Sequence, residues 1–221
     1  MAINNLASLR LALLDWTART DIDNSVADNF IDLAETEILN GVFDPSGRAI
    51  LPPLQCHRME VTDASFPLVG EYTSLPANFH GFRKVKLNGN PARDLDYATP
   101  KVFDATFLSI DHTSAPAAYT IEGGQLRVGP NAGVGDTLAI TYYEAPANLV
   151  ATGDNWLVLT YPLVYLYGAL RHLAIYTGAE RQLPYFQSAF ISALAAVHSK
   201  EKSIQFSGTA LTTRTLGVTT T

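Results

Sequence analysis

The longest apolar stretch of the chain, WLVLTYPLVYLYGALRHLAIY from Trp156 to Tyr176, constrains the fold more than any other feature. It carries no charged side chain before Arg171, and an uncharged run of about 15 residues is shorter than the ~20 that a bilayer span requires. Pro162 suits the first turn of a helix, where its missing N–H group is not needed. The leucines that follow recur at spacings of three and four residues, as on one helical face: Leu163, Leu166, Leu170 and Leu173. We therefore predict a helix that is buried within protein and ends at Gly178.

Three further stretches place apolar residues at helical spacing. Asn4 or Asn5 can cap a first helix, Ser25 can cap a second that ends near Gly41, and a last helix is expected to begin near Pro184. Because each helix is apolar on one face only, the four helices are expected to pack against one another. The predicted core of this bundle takes residues from all four helices: Leu13, Trp16, Phe30, Leu33, Leu166, Leu170, Phe186 and Phe190.

Between the two helical pairs, the apolar periodicity changes from helical to alternating. Phe79 to Leu87 is predicted as a strand, Asn88-Gly89 and Gly123-Gly124 as hairpin turns, and Thr99-Pro100 as the start of a short helix. The predicted fold class is therefore α+β: a four-helix bundle of two N-terminal and two C-terminal helices, with an inserted small antiparallel β domain and an extended C-terminal tail. The predicted boundaries are 1–45 and 147–206 for the bundle, 46–146 for the β domain and 207–221 for the tail.

The tail contains seven threonines and only three large apolar side chains, those of Leu211, Leu216 and Val218. Ordering the backbone of these 15 residues costs on the order of 15–30 kcal/mol, whereas each buried apolar side chain returns about 1.5–3 kcal/mol. The tail is therefore not expected to order by itself. It is either a frayed terminus or a segment that adds a strand to the sheet edge of a partner.

The chain offers few residues for catalysis or metal binding. The 15 Lys and Arg residues are scattered and the net charge is −6, which argues against a nucleic-acid-binding face. The five histidines do not have metal-ligand spacing, and the single cysteine, Cys56, cannot form an internal disulfide. We expect no metal and no cofactor. Asp32, Glu35 and Glu37 form an acidic cluster that a hydrolase could use, although exposed acids are common on amphipathic helices.

Five stretches, in order along the chain, resemble the head–tail adaptor (connector) proteins of tailed bacteriophages and gene transfer agents. They are FIDLAETEI at 30–38, LPANF at 75–79, TPKVFD at 99–104, YTIEGGQL at 119–126, and NW at 155–156 with YPLVYLYGAL at 161–170. The last pair is the most specific of them. Family members often carry a basic residue after the first of these motifs, where this chain has Asn40-Gly41-Val42.

The resemblance implies a virion structural protein at the head–tail interface, made in the host cytoplasm, and not an enzyme. Such adaptors form a ring, typically of twelve copies, below the portal protein; the ring extends the DNA channel and presents a platform to a tail or nozzle protein. DNA then passes through without specific binding during genome ejection, and no membrane is involved. In related connectors the C-terminal segment docks on the portal. Transferred to this chain, the implied docking residues are Phe206, Leu211, Arg214, Leu216 and Val218.

Two other functions remain open from the sequence. The chain could be a different tail component, such as a tail-completion or tail-tube protein, and only its position in the virion separates that function from an adaptor ring. It could also be a virion-associated hydrolase that uses Asp32, Glu35 and Glu37.

Overall fold

The computed structural model describes residues 2–44, 46–89, 92–107, 115–130 and 136–205. Across these residues the chain is α+β, with seven α-helices and three β-sheets. The chain divides into two compact units. One, here called the helical unit, takes the residues up to His57 and those from Ala147 onward; the other, the β unit, is Arg58–Pro146.

The helices begin and end close to the residues that their capping signals indicate. They are α1 Leu6–Thr17, α2 Asn24–Asn40, α3 Pro100–Phe107, α4 Leu149–Thr152, α5 Trp156–Thr160, α6 Pro162–Tyr176 and α7 Leu183–Gln205. Asn5 caps α1, as predicted, in a capping box with Ser8. The predicted cap of α2 is wrong: the Asp23 side chain, and not Ser25, accepts a hydrogen bond at that helix start.

The predicted helix at Pro162 is confirmed as α6, and the other three long helices surround it. α1, α2 and α7 each pack against α6, and α1 also packs against α2. The sequence did not predict α4 and α5, two short helices that precede α6. A regular four-helix bundle therefore stays a prediction, whereas the packing of three long helices on α6 is observed.

α2 and α7 both approach α6 closely at Gly168. A Cβ atom placed there would lie 2.8 Å from the Cβ of Ala34 in α2 and 3.1 Å from Cε2 of Phe190 in α7. The first distance is shorter than real Cβ atoms show and the second is tighter than most of their contacts, so the absence of a side chain lets both helices approach.

Most of the predicted core residues are buried, namely Leu13, Phe30, Leu166, Leu170, Phe186 and Phe190. Trp16 and Leu33 are corrections, because 49% and 48% of their surfaces are exposed. Trp16 lies in the last turn of α1, where Tyr167 contacts its ring edge-on with centroids 5.7 Å apart. Leu33 is rotated by about 100° from the buried Ala34 around α2. Leu163, predicted on the buried face of α6, is also 48% exposed.

The helical unit also contains a two-stranded sheet, formed by β1 Val42–Phe43 and β2 Ala49–Leu51. The eight other strands lie in the β unit: β3 Glu60–Pro67, β4 Tyr72–Ser74, β5 Phe79–Leu87, β6 Arg93–Asp94, β7 Asp96–Tyr97, β8 Ala118–Glu122, β9 Gln125–Gly129 and β10 Thr137–Glu144. The predicted strand at β5 and the predicted helix α3 are confirmed at their expected positions.

The β unit has two four-stranded sheets, and not the one small antiparallel sheet that the sequence predicts. Their strand orders are β3-β10-β5-β6 and β4-β9-β8-β7. All pairs are antiparallel except β7 with β8. Buried Leu95 separates β6 from β7, so that consecutive short strands enter different sheets. Side chains from both sheets, such as Val128 and Ile140, share one apolar core.

Candidate functional site

The acidic cluster of α2 was the first candidate site, and Glu35 is its buried member. Its Oε2 accepts hydrogen bonds from the Leu149 amide at 3.2 Å and from Nδ2 of Asn148 at 3.0 Å, and its Oε1 accepts one from the Tyr165 hydroxyl at 3.1 Å. Burial raises the pKa of Glu35, although the hydrogen bonds oppose that shift. The carboxylate therefore joins the start of α4 to α2 and α6. Burial, and then the charge of Glu35, raise the pKa of Tyr165 as well.

Asn155 completes this buried polar network and was not assigned a role from the sequence. Its side-chain oxygen accepts a hydrogen bond from the Val158 amide at 2.9 Å and so caps α5. Its Nδ2 donates to the carbonyl oxygen of Ala147 and to the hydroxyl of Tyr165, both at 2.9 Å. An asparagine directly before Trp156 was the available signal, because asparagine is a favoured N-cap residue.

Glu37 forms an ion pair with Arg171, a residue of α6 whose side chain is only 7% exposed. The Arg171 guanidinium also donates to Oε1 of Gln187 at 2.9 Å and lies 4.9 Å from the centre of the Phe190 ring. Burial and the neighbouring Arg171 lower the pKa of His172 to about 4. His172 is therefore neutral at pH 7, and its Nε2 lies 3.0 Å from the guanidinium and can accept a hydrogen bond from it. This pair joins α2, α6 and α7.

The third acid, Asp32, accepts a hydrogen bond from Nδ2 of Asn148 at 3.0 Å. All three acids of the hydrolase interpretation thus contact groups that hold helices together. Asp32 and Glu35 share Nδ2 of Asn148 as a donor, and Glu37 pairs with Arg171, so each carboxylate is engaged in a contact between helices. The geometry gives that interpretation no support.

A second buried carboxylate, that of Glu201, lies near the end of α7 and is 2% exposed. Its Oε2 is 2.5 Å from Nδ1 of His57, and its Oε1 accepts a hydrogen bond from the Tyr161 hydroxyl at 2.8 Å. The ammonium of Lys200 lies 5.2 Å from the centre of the Tyr161 ring. These contacts attach the end of α7 to the corner between α5 and α6.

The outer surface of the helical unit carries exposed large apolar side chains on several helices. Those at least 40% exposed include Leu11, Trp16, Leu33, Leu159, Leu163, Ile175, Tyr176 and Tyr185. Between the start of α6 and the second half of α7 lies a groove of about 310 Å³, here called the α6–α7 groove, lined mainly by apolar side chains. Apolar surface of this extent is typical of interaction sites between proteins. The best-supported candidate site is therefore a set of assembly surfaces.

The predicted docking residues Phe206, Leu211, Arg214, Leu216 and Val218 lie outside the described residues. Across the part of the chain that the structure describes, no group of three or more His, Cys, Asp or Glu residues could hold a metal ion. Among the same residues, no helix is both long enough and apolar enough to cross a membrane.

Comparison with known proteins relates these features to a family. No curated protein matches the sequence. The family model described as "SU10 adaptor protein" matches residues 4–214, which includes both units of the chain. The resemblance seen in the motifs is thereby confirmed. The chain belongs to the SU10 adaptor protein family, a family of phage head–tail adaptors, and so is a structural component of a virion.

Proposed function

We propose that this chain forms a closed ring of identical subunits below the portal and joins the capsid to the tail. The ring extends the DNA channel, and the genome passes through it during ejection. The observation that carries this proposal is the family match over residues 4–214. The resemblance to connectors implies that the ring contains twelve copies. The protein acts as a structural part without a catalytic role.

The exposed apolar surface supports a chain that has several neighbours. In a ring with cyclic symmetry, each subunit uses one face against the subunit on its left and a different face against the one on its right. Each subunit of an adaptor also contacts the portal above and the tail below. Exposed apolar residues such as Leu11, Leu163 and Tyr176 provide surface for such contacts.

The net charge of −6 supports passage of DNA through the ring without specific binding. DNA carries one negative charge for about every 1.7 Å of its axis, and binding to it requires phosphate contacts from Lys and Arg. An acidic ring repels phosphates, so DNA slides through. Purified rings that retain duplex DNA at physiological salt would contradict this part of the proposal.

The C-terminal segment 206–221 is proposed to dock on the portal. Its composition supports this, since three large apolar side chains in 207–221 cannot offset the cost of ordering the segment in isolation. A partner that supplies a binding surface removes this deficit. The docking residues Phe206, Leu211, Arg214, Leu216 and Val218 are part of the proposal.

The test co-produces the chain with its cognate portal protein and measures the mass of the complex by native mass spectrometry. We expect portal-bound rings, and electron cryo-microscopy of the same sample counts the subunits. The variant Leu211→Ser, Leu216→Ser, Val218→Ser should lose portal binding, because the docking segment then has little apolar surface to bury.

The matched control, Thr212→Ser, Thr213→Ser, Thr215→Ser, changes neighbouring residues of the same segment and should bind the portal like the wild type. Absence of any complex with the wild-type chain refutes the adaptor proposal. Labelling intact particles then tests the alternative, because a tail-completion or tube protein would be found along the tail and away from the portal.

A further inference from the structure

Helix α1 has two apolar faces, and only one of them packs within the subunit. Leu6, Leu9 and Leu13 are buried on the inner face. On the outer face, Ala7 and Leu11 are exposed and Leu14 is half-buried, at spacings of four and three residues. A helix that is apolar on opposite faces needs a partner on each of them. The outer face of α1 is defined here as Ala7, Leu11 and Leu14. It is therefore a candidate contact surface for another chain.

Charged groups of the subunit itself hold this outer face in place. Nε and Nη2 of Arg10 donate to the two carboxylate oxygens of Asp28 in α2, both at 2.6 Å. Two-point pairing of this kind fixes orientation as well as distance. A shallow depression of about 240 Å³ lies beside the same face, lined by Ala7, Arg10, Leu11, Leu14 and Asn24. The ion pair thus fixes α1 to α2 beside this face.

The α6–α7 groove is concave, whereas the outer face of α1 projects the side chains of Leu11 and Leu14. Its α7 wall is formed by Ala193, Ala196 and Val197, with the longer side chain of Lys200 at one end. Tyr161 and Leu163 form the wall on α6. Small residues along a helix leave room for the side chains of a second helix. The groove can therefore take the leucines of a helix that lies alongside α7.

The two surfaces match in spacing and in charge. Asp15 lies four residues after Leu11, and Lys200 lies four residues after Ala196. Both charged residues are exposed, and neither makes an ion pair with any residue that the structure describes. A parallel alignment that sets Leu11 on Ala196 also brings Asp15 beside Lys200. An antiparallel alignment about the same contact would instead place Asp15 opposite Ser192.

We propose that the outer face of α1 docks in the α6–α7 groove of a neighbouring copy of this chain, parallel to α7, with Asp15 beside Lys200 of that copy. The inference rests on the proposed ring and names its subunit interface. A ring needs two different complementary faces on each subunit. Both faces belong to the helical unit, so the proposed contact involves no residue of the β unit.

The register gives four side-by-side pairs: Ala7 with Ser192, Leu11 with Ala196, Leu14 with Ser199, and Asp15 with Lys200. Ser192, Ala196 and Ser199 are small and exposed. Ala196 and Lys200 line the groove, whereas the two serines extend the proposed contact along the exposed side of α7. The leucines supply the buried apolar area, whereas the single charge pair selects the parallel direction.

The first test reverses the charges in the chain co-produced with its portal. Asp15→Lys and Lys200→Asp should each raise the concentration for half-maximal ring formation by about tenfold, because each places like charges side by side. The double variant restores an opposite pair and should assemble like the wild type. Circular dichroism checks that every variant is folded, and rescue by the double variant excludes misfolding as the cause of the single effects.

The second test is disulfide cross-linking between Leu11→Cys and Ala196→Cys in one chain. The native Cys56 is only 4% exposed and should not compete. We expect a ladder of linked subunits. The matched control pairs Ala196→Cys with Leu33→Cys, because Leu33 is as exposed as Leu11 but lies on α2, away from the proposed face. The control should give no ladder.

The outcomes separate this inference from the proposed function. Rings that form without the Leu11–Ala196 cross-link, and without sensitivity to charge reversal, overturn the interface and leave the ring intact. Cross-links from Ala196→Cys to the portal or to a tail protein also overturn it, since the groove then has a different occupant. Failure of the wild-type chain to form any ring with its portal overturns both.

Discussion

Replacing Gly168 with alanine tests whether the close approach of α2 and α7 to α6 depends on the missing side chain. The new Cβ would lie 2.8 Å from the Cβ of Ala34 and 3.1 Å from Cε2 of Phe190. Excess volume in a packed core costs about 1–3 kcal/mol. Alanine gains about 1 kcal/mol over glycine in a helix interior. The net expected loss in the free energy of unfolding is therefore about 0–2 kcal/mol.

The double variant Gly168→Ala, Ala34→Gly provides the decisive comparison. Ala34→Gly alone should cost about 2 kcal/mol, through lost helix propensity and a methyl-sized void. In the double variant one glycine and one alanine have exchanged helices, so the propensity terms cancel and the methyl clash with Ala34 disappears. We expect stability within about 1 kcal/mol of the wild type, and a coupling of about 1–3 kcal/mol between the two sites.

Urea denaturation followed by far-ultraviolet circular dichroism measures all four free energies of unfolding. Gly70→Ala is the matched control, because no atom lies within 4 Å of a Cβ placed there. It should change stability by less than about 0.5 kcal/mol. If the free-energy change of the double variant equals the sum of the two single changes within about 0.5 kcal/mol, direct contact between Gly168 and Ala34 is refuted.

Three further predictions concern the buried charges of the helical unit. Glu35→Gln should lower the free energy of unfolding by about 1–3 kcal/mol, because an amide nitrogen would face the donors of Asn148 or Leu149. The half-buried Asp32 uses one oxygen for its hydrogen bond from Asn148, and Asp32→Asn keeps such an oxygen, so it should change the same free energy by about 0.5 kcal/mol or less. Burial raises the pKa of Glu35, so the folded state keeps a proton that the unfolded chain releases near pH 4.3. The contribution of Glu35 to the free energy of unfolding should therefore fall as the pH rises from the ordinary pKa of a glutamate to the raised pKa of Glu35, and stay level at higher pH. Denaturation at a series of pH values should show this fall in the wild type and not in Glu35→Gln. Arg171→Met should lower the free energy of unfolding by roughly 2–3 kcal/mol, measured by thermal unfolding. This is less than the ~3–5 kcal/mol expected when one partner of a fully buried ion pair is removed, because the Glu37 side chain is 32% exposed. An unchanged melting temperature would show that the ion pair does not stabilise the fold.

Local signals in the sequence determined where most elements begin and end. Asn5 caps α1, Pro162 is the first residue of α6, and Pro100, preceded by Thr99, is the first residue of α3, because capping groups and the fixed proline backbone act within one helical turn. Gly123 and Gly124 form the turn between β8 and β9, where both residues have positive φ angles of 56° and 76°. Apolar residues also alternate along β10, where Leu138, Ile140 and Tyr142 form the buried face.

The pairing of charged and polar side chains was decided by tertiary structure. Glu35 and Tyr165 are 130 positions apart in the chain and share a hydrogen bond, and Glu37 meets an arginine on another helix. No local pattern distinguishes such acids from exposed acids on an amphipathic helix. Their roles depend on which helices pack together, and that depends on the whole apolar core.

The assignment to a family came from motifs spread along the whole sequence, and a family model then matched the same span. What the sequence by itself determined was therefore the positions of the long helices, of α3 and of β5, the cap of α1 and the family. Only the tertiary structure decided which apolar residues stay exposed, such as Leu11 on α1 and Leu163 beside the groove. The physical reason is that periodicity shows a residue's direction around its own helix, whereas exposure depends on which neighbours cover that direction.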